Sequence, residues 1–240
     1  MCFNVINMTT TAKRKRLLPS LRLLPISYRL ASKNITNLIY LVILPNLILS
    51  LGQLFANQAE SKSADFKIMG TVLITAGFIW LIINQAPIIY FAVRAVKGET
   101  PTLSESYRGG LKFFWQYLLL ILVLVTIIGL GLALFILPGL VAAYFILQRY
   151  YLTPYFMIDQ KLPIREALAK CNEQTKPYFL NILDVLFLQV TLVLSAAIVG
   201  VASMLIGIAL STFIASLTVF LLALRYQEIT GKLPSDVVSK

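Results

Sequence analysis

Long apolar runs separated by short polar segments make up most of this chain. A helix needs about 20 residues to cross the apolar core of a bilayer, which is about 30 Å thick. The last run, Tyr178 to Leu224, is about twice that length and is expected to turn back on itself near Gly200. The pattern predicts six membrane-spanning helices arranged as three hairpins, at residues 37–55, 69–95, 113–137, 140–158, 178–199 and 204–225.

The composition makes lipid the expected solvent for these helices. Hydrophobic residues make up 58% of the chain and charged residues only 13%, whereas soluble domains average about 45–50% and about 25%. So few charges could not cover the surface of a water-soluble protein of 240 residues. The expected fold class is therefore all-α: a polytopic helical bundle in a membrane, formed by residues 25–228.

The charged residues are distributed unevenly, and their positions predict an orientation. Lysine and arginine number 21 against 10 acidic residues, and no acidic residue precedes Glu60. The N-terminus and the connections 94–112 and 161–176 are basic, while the connections on the other side carry no net charge. Because basic loops stay in the cytoplasm, both ends of the chain are predicted to be cytoplasmic.

The two ends of the chain are expected to lie outside the bilayer. Residues 1–24 are predicted to form a disordered basic N-terminus, and residues 229–240 a short cytoplasmic tail. Clustered basic residues attract anionic lipid head groups, and the cluster here is Lys13, Arg14, Lys15 and Arg16. Nucleic-acid binding is not expected, because no base-stacking surface or nucleic-acid-binding motif accompanies the cluster.

Each basic connection contains an amphipathic segment ahead of a predicted hairpin. Ser27-Tyr28-Arg29 aligns without a gap on Ser106-Tyr107-Arg108, and the same alignment superposes Lys33 on Lys112. Thr102 and Glu105 have the spacing of a capping box. In the third segment one helical face is apolar, at Ile164, Ala167, Leu168 and Cys171. The pattern favours an internal repeat with interfacial helices, although basic amphipathic loops are also common in membrane proteins in general.

Polar residues inside the predicted spans are the main functional candidates. They are Asn84, Gln85, Gln148, Arg149 and Asp184. A charge near the bilayer centre costs about 2.5–3.5 kcal/mol on insertion scales and usually faces a partner or an aqueous cavity. Two interpretations stay open: a polar pocket that binds an ion or an anionic head group, or a structural contact between Arg149 and Asp184 that holds the helices in register.

Small residues on the predicted sixth span mark a face for close helix packing. Ser203, Gly207, Ser211 and Ala215 recur at a spacing of four residues. Small residues at this spacing let two helix backbones approach each other in a membrane. Packing within the chain is favoured over a dimer interface, and a membrane-protein partner or homo-oligomer stays open.

The residues needed for catalysis are missing from the sequence. Histidine is absent, which removes the commonest general base and a common metal ligand. The two cysteines, Cys2 and Cys171, are too few for a zinc site or a disulfide framework. Phosphate loops, nucleotide-binding fingerprints and paired carboxylates on one span are also absent. The chain is expected to be no enzyme and to use no metal or cofactor.

In the segment from Leu137 to Leu183, Pro138-Gly139 stands at the start of a predicted span, Asp159 at its cytoplasmic end, and Glu166-Ala167-Leu168 ahead of an aromatic pair. This pattern resembles the membrane-domain family that accompanies glycerophosphoryl diester phosphodiesterases and, equally, the YciC-like bacterial inner-membrane proteins. It implies a six-helix domain of the bacterial inner membrane. In fused members the hydrolase is a separate soluble domain, so the resemblance implies no catalytic residue here.

The expected function is that of a non-enzymatic membrane domain in envelope or lipid homeostasis, or of an accessory to a partner. The alternative is a permease or channel for a small solute or a lipid, with a polar pocket around Arg149. A lined cavity between the spans favours the alternative, whereas a fully packed bundle counts against it.

Overall fold

The computed structural model describes residues 17–58, 64–134, 136–202 and 204–231, and every regular element in those ranges is helical. The predicted all-α fold is therefore confirmed. The basic cluster at residues 13–16 and the tail from residue 232 lie outside the described residues. In chain order the helices are α1 (Ser20–Lys33), α2 (Ile35–Leu38), a π-helical turn (Ile39–Ile43), α3 (Leu44–Gln58), α4 (Ala64–Val96), α5 (Leu103–Gly110), α6 (Phe114–Leu134), α7 (Ile136–Tyr150), α8 (Thr153–Gln160), α9 (Ile164–Thr175), α10 (Phe179–Ala202) and α11 (Met204–Ile229).

Five helical stretches among the described residues are long and apolar enough to cross a membrane. They are Ile35–Ala56, Asp65–Val96, Leu103–Gly131, Ile164–Gly200 and Ile206–Ile229. Large apolar side chains point outward along them: Leu180, Phe187 and Ile198 on α10 are 71–72% exposed. Exposed apolar surface of this extent needs a lipid solvent. The chain thus has the architecture of a multi-pass membrane protein.

The predicted span 140–158 differs from the structure, because it is divided between α7 and α8. The helix stops at Tyr150, and α8 begins at Thr153 with Pro154 in its first turn. Proline has no N–H for the carbonyl four residues earlier and clashes with it, which favours a break at this position. Helix α7 therefore packs beside α6, and α8 packs as a separate short helix against α4.

The predicted disorder of residues 1–24 also needs correction at its C-terminal side. Helix α1 begins at Ser20. Leu23 is fully buried in the core, and the side chains of α10 and α11 bond to the backbone at Leu18 and Ser20. Burial and hydrogen bonding give these residues the tertiary contacts that the sequence pattern did not reveal.

Short amphipathic helices precede the long ones, in the order expected for the hairpins. Helix α1 leads into the first long helix, α5 into α6, and α9 into α10. The capping box of Thr102 and Glu105 forms at the start of α5. On α9 the predicted apolar face is turned inward, since Ala167 and Cys171 are fully buried.

Glycines set the distance between α3 and α4, the most extensively packed pair of helices. A Cβ atom added at Gly52 would lie 2.6 Å from the backbone nitrogen of Ile74, and one at Gly70 would lie 2.6 Å from that of Ala56. Both distances are below van der Waals contact, and backbone cannot move aside as a side chain can. The two helices therefore need glycine at these crossings.

We predict that Gly52→Ala destabilises the protein by about 1–3 kcal/mol, because the added methyl group forces α3 away from α4. Gly129→Ala on α6 is the matched control, since a Cβ there meets nothing within 4 Å. Thermal unfolding of both variants in detergent micelles tests the difference. Equal midpoints for the two variants would contradict this packing.

Candidate functional site

Asn84 satisfies the backbone that Pro45 disrupts. The π-helical turn Ile39–Ile43 precedes this proline, and the N–H of Leu44 bonds to the carbonyl of Ile39, five residues back. Proline supplies no N–H to the carbonyl of Leu41. The Asn84 side-chain amide nitrogen donates to that carbonyl at 3.1 Å, and the Tyr107 hydroxyl donates to its oxygen at 2.6 Å. Asn84 is fully buried and has a structural role.

Gln85, the next residue, faces a cavity instead. This first cavity has a volume of about 660 Å³ and lies between α3, α4, α10 and α11. Its polar lining consists of amides and hydroxyls, those of Asn46, Ser50, Gln53, Gln85, Gln189, Ser211 and Thr218. None of the described residues that line it carries a charge. Of the predicted polar residues, Gln85 is therefore placed where it can bind a ligand.

A second cavity, of about 320 Å³, adjoins the first across Gln85, Gln189 and Thr218. These three residues line both cavities, as do Ile88 and Val219. The first cavity extends from them to Gly200 and Gly207, and the second extends to Pro154 and Tyr155. The second cavity also extends along α6, to Ile121 and Ile128. The shared residues, which we call the junction, thus stand between the two cavities.

The junction residues lie at one depth in the bundle. Gln85 is eleven residues before the end of α4, Gln189 ten residues after the start of α10, and Thr218 eleven residues before the end of α11. At 1.5 Å per residue each lies about 15–17 Å from its helix end. Half the thickness of the apolar core is about 15 Å, a similar distance.

Hydrogen bonds leave donor and acceptor groups available at the junction. The Tyr151 hydroxyl donates to the Gln189 side-chain oxygen at 2.6 Å and fixes the orientation of that amide. Among the described residues, neither the Gln189 amide nitrogen nor the Gln85 amide has a hydrogen-bond partner. An unpaired amide away from water is costly. A bound molecule or water with polar groups would remove this cost.

Arg149 is not buried, although the sequence places it inside the predicted span 140–158. It sits in the last turn of α7, and its side chain is exposed. Its carbonyl accepts hydrogen bonds from Cys171 and Thr175 of α9, which satisfy a group that the end of α7 leaves open. A basic residue in the last turn of a helix also interacts favourably with the helix dipole. No ion pair joins Arg149 to Asp184 among the described residues.

Among the described residues, the buried arginine is Arg225, on α11. Its side chain is 1% exposed and pairs with Glu228 at 2.8 Å, and Glu228 is 4% exposed. Arg225 also donates to the Leu18 carbonyl and to the Ser20 hydroxyl. Asp184 accepts from the Ser20 backbone N–H at 2.7 Å and lies 3.9 Å from Arg225. These residues attach the start of α1 to α10 and α11, and we call them the N-terminal clasp.

A second ionic cluster ties α8 to the neighbouring helices at the same end of the bundle. Lys97, just after α4, pairs with Asp159 of α8, and the Tyr226 hydroxyl of α11 donates to Asp159 at 2.7 Å. Gln160 donates to Tyr226 at 3.1 Å. Asp159 is one of the residues that carried the family resemblance, and here it has a structural role in the packing of α4, α8 and α11.

The remaining predicted residues divide between packing and the cavity. Gly207 crosses Gly200 so closely that a Cβ added to Gly207 would lie 2.4 Å from the Gly200 Cα, which is a contact within the chain. Ser211 and Ala215 line the first cavity. Ser203 and the Gln148 side chain lie outside what the structure describes.

No protein-family model matches the chain, and neither a curated protein nor a solved structure does. The resemblance of Leu137 to Leu183 to the two bacterial membrane-protein families therefore stays a prediction. The geometry of the cavities and of the junction is the basis for a functional assignment.

We predict that Asn84→Leu destabilises the protein by about 1–3 kcal/mol, because it leaves the Leu41 carbonyl buried without a donor. Pro45→Ala in the same chain should recover part of that loss, since the new N–H of residue 45 can bond to Leu41. Unfolding of the four members of this double-mutant cycle measures the coupling. Purely additive effects would contradict the assignment.

We predict that Arg225→Met costs about 3–5 kcal/mol, because it leaves Glu228 buried and unpaired. Arg149→Met is the matched control and should change stability by no more than about 0.5 kcal/mol, as exposed substitutions do. The measurement is the stability of each purified variant in one detergent. If Arg149→Met lowered the free energy of unfolding as much as Arg225→Met, the clasp would not be the main buried ionic contact.

Proposed function

We propose that this protein is a non-enzymatic membrane permease that binds uncharged amphipathic molecules at the junction and moves them between the two membrane leaflets. The observation that carries this proposal is the pair of cavities that meet at Gln85, Gln189 and Thr218. The permease pocket that was expected around Arg149 is thus assigned to the junction.

The lining of the cavities supports an uncharged ligand. Neither cavity has a charged side chain among the described residues that line it. In a low-dielectric site, an ionic ligand without a counter-charge would lose its hydration energy and gain nothing comparable. Amides and hydroxyls both donate and accept hydrogen bonds, which suits hydroxyl, ether or ester groups. Apolar side chains around them suit a hydrocarbon chain.

The arrangement of the cavities supports transfer across the bilayer. A ligand at the junction has space on both sides, toward Gly207 in the first cavity and toward Tyr155 in the second. The bond from Tyr151 to Gln189 spans α7–α8 and α10 beside this point. Breaking and re-forming that bond is a simple way for the junction to open to one cavity and then to the other.

The cellular setting remains part of the proposal. We place the protein in the bacterial inner membrane with both ends cytoplasmic, on the strength of the resemblance and of the basic connections. Transfer of a neutral lipid would serve envelope or lipid homeostasis. The two ionic clusters lie at one end of the bundle, beside the ends of α4 and α11 near residues 96 and 229. This charged end is the one that we place toward the cytoplasm.

Reconstituted vesicles test this function. The probe is a glycosyl diacylglycerol, whose head group is uncharged, with a fluorescent label that dithionite quenches only in the outer leaflet. We predict that the protein increases the fraction quenched, and that Gln85→Leu and Gln189→Leu each abolish the increase. Gln116→Leu is the matched control, because Gln116 is exposed on α6 and lines neither cavity.

Stability measurements separate loss of function from loss of fold. Gln85 makes no hydrogen bond among the described residues, so Gln85→Leu should leave the unfolding midpoint unchanged or raise it. Transfer by Gln85→Leu at the wild-type rate would rule out the junction as the binding site. Faster transfer of labelled phosphatidylglycerol than of the neutral probe would rule out the uncharged substrate class.

A further inference from the structure

A separate groove runs along the outside of the bundle, between the segment α1–α3 and α11. It has a volume of about 620 Å³ and is bordered by α1, α2, the π-helical turn, α3 and α11. One end lies at Tyr28 and Ser32 of α1, and the other at Leu47 of α3. Leu47 follows Ile35, another lining residue, by twelve residues, or about 18 Å along a helix. One leaflet of the apolar core is about 15 Å deep.

The groove presents an apolar surface to whatever occupies it. Leu38, Ile43, Leu47, Ile208, Ala209 and Phe213 line its length. The hydroxyls of Thr212 and Ser216 are bonded to carbonyls of their own helix, at 2.9 and 3.0 Å. These two hydroxyls therefore need no polar ligand. A hydrocarbon chain matches both the chemistry and the depth of the groove.

The end of the groove at α1 is basic. Lys33 follows the lining residue Ser32 directly and is exposed, and Arg29 lies one helical turn earlier. Helix α1 contains no acidic residue, and the chain has none before Glu60. The carboxylates of Asp184 and Glu228 lie at the opposite end of α1, bonded within the N-terminal clasp. The charge at the mouth of the groove is thus complementary to an anionic head group.

We propose that the groove holds one acyl chain of an anionic phospholipid, whose head group binds beside Lys33. This lipid site is distinct from the junction. The groove shares only Ile208 with the first cavity and no lining residue with the second, and apart from Ile208 the two sites use different faces of α11. The bound lipid fills the space between α1 and α11 and holds α1 against the bundle from the side opposite the clasp.

Native mass spectrometry of the full chain tests the site. The protein is equilibrated with phosphatidylglycerol or phosphatidylcholine vesicles, extracted in mild detergent and freed of loosely held lipid. We expect one phosphatidylglycerol to remain per chain, and phosphatidylcholine to be retained severalfold less. Ala209→Phe should remove the bound lipid by filling the groove. Ala76→Phe is the matched control, since Ala76 is exposed on α4 and outside the groove.

A charge variant separates the head-group contact from the apolar one. Lys33→Gln should keep a bound lipid but reduce the preference for phosphatidylglycerol about fivefold, the factor that corresponds to about 1 kcal/mol for one basic residue near the surface. Equal retention of the two lipids by the unmodified protein would overturn the proposal, because it would indicate an unspecific lipid shell. Retention by Ala209→Phe at the level of Ala76→Phe would overturn it as well.

Discussion

The absence of water in the bilayer core governs this structure, because every polar group there must find a partner in the protein or in a ligand. Pro45 leaves the Leu41 carbonyl without a donor, and Asn84 from the neighbouring helix supplies one. The end of α7 leaves the Arg149 carbonyl open, and Cys171 and Thr175 bond to it. At both of these breaks a side chain from another helix supplies the missing donor, and these bonds connect the helices to one another.

The same constraint distinguishes structural polar residues from functional ones. Asn84 and Gln85 are neighbours in sequence, but Asn84 is fully bonded and Gln85 faces a cavity. Arg225 and Glu228 form a buried ion pair in the clasp. The Gln85 amide and the Gln189 nitrogen differ from these groups, because they face the two cavities and the described residues offer them no partner. A ligand is the simplest way to satisfy them, and their position between two cavities relates that ligand to movement across the membrane.

Periodicity and composition predicted the all-α fold, the membrane solvent and the capping box of α5, since each depends on residues close in sequence. The cavity residue Gln189 and the buried Arg225 were not among the predicted candidates. Gln189 lies in an apolar run, where one amide gives a weak signal, and Arg225 lies at the end of a span, where a basic residue usually reaches the head groups. Their roles depend on partners such as Tyr151 and Leu18, which only the tertiary structure brings near.

The most direct test of the account is an experimental structure of the protein in lipid nanodiscs that contain the neutral glycosyl lipid. We predict density for a bound molecule at the junction, within hydrogen-bonding distance of the Gln85 and Gln189 amides, that continues into one of the two cavities. A closed junction would contradict the central claim, if the two amides bond to each other or to the protein backbone and no density separates them.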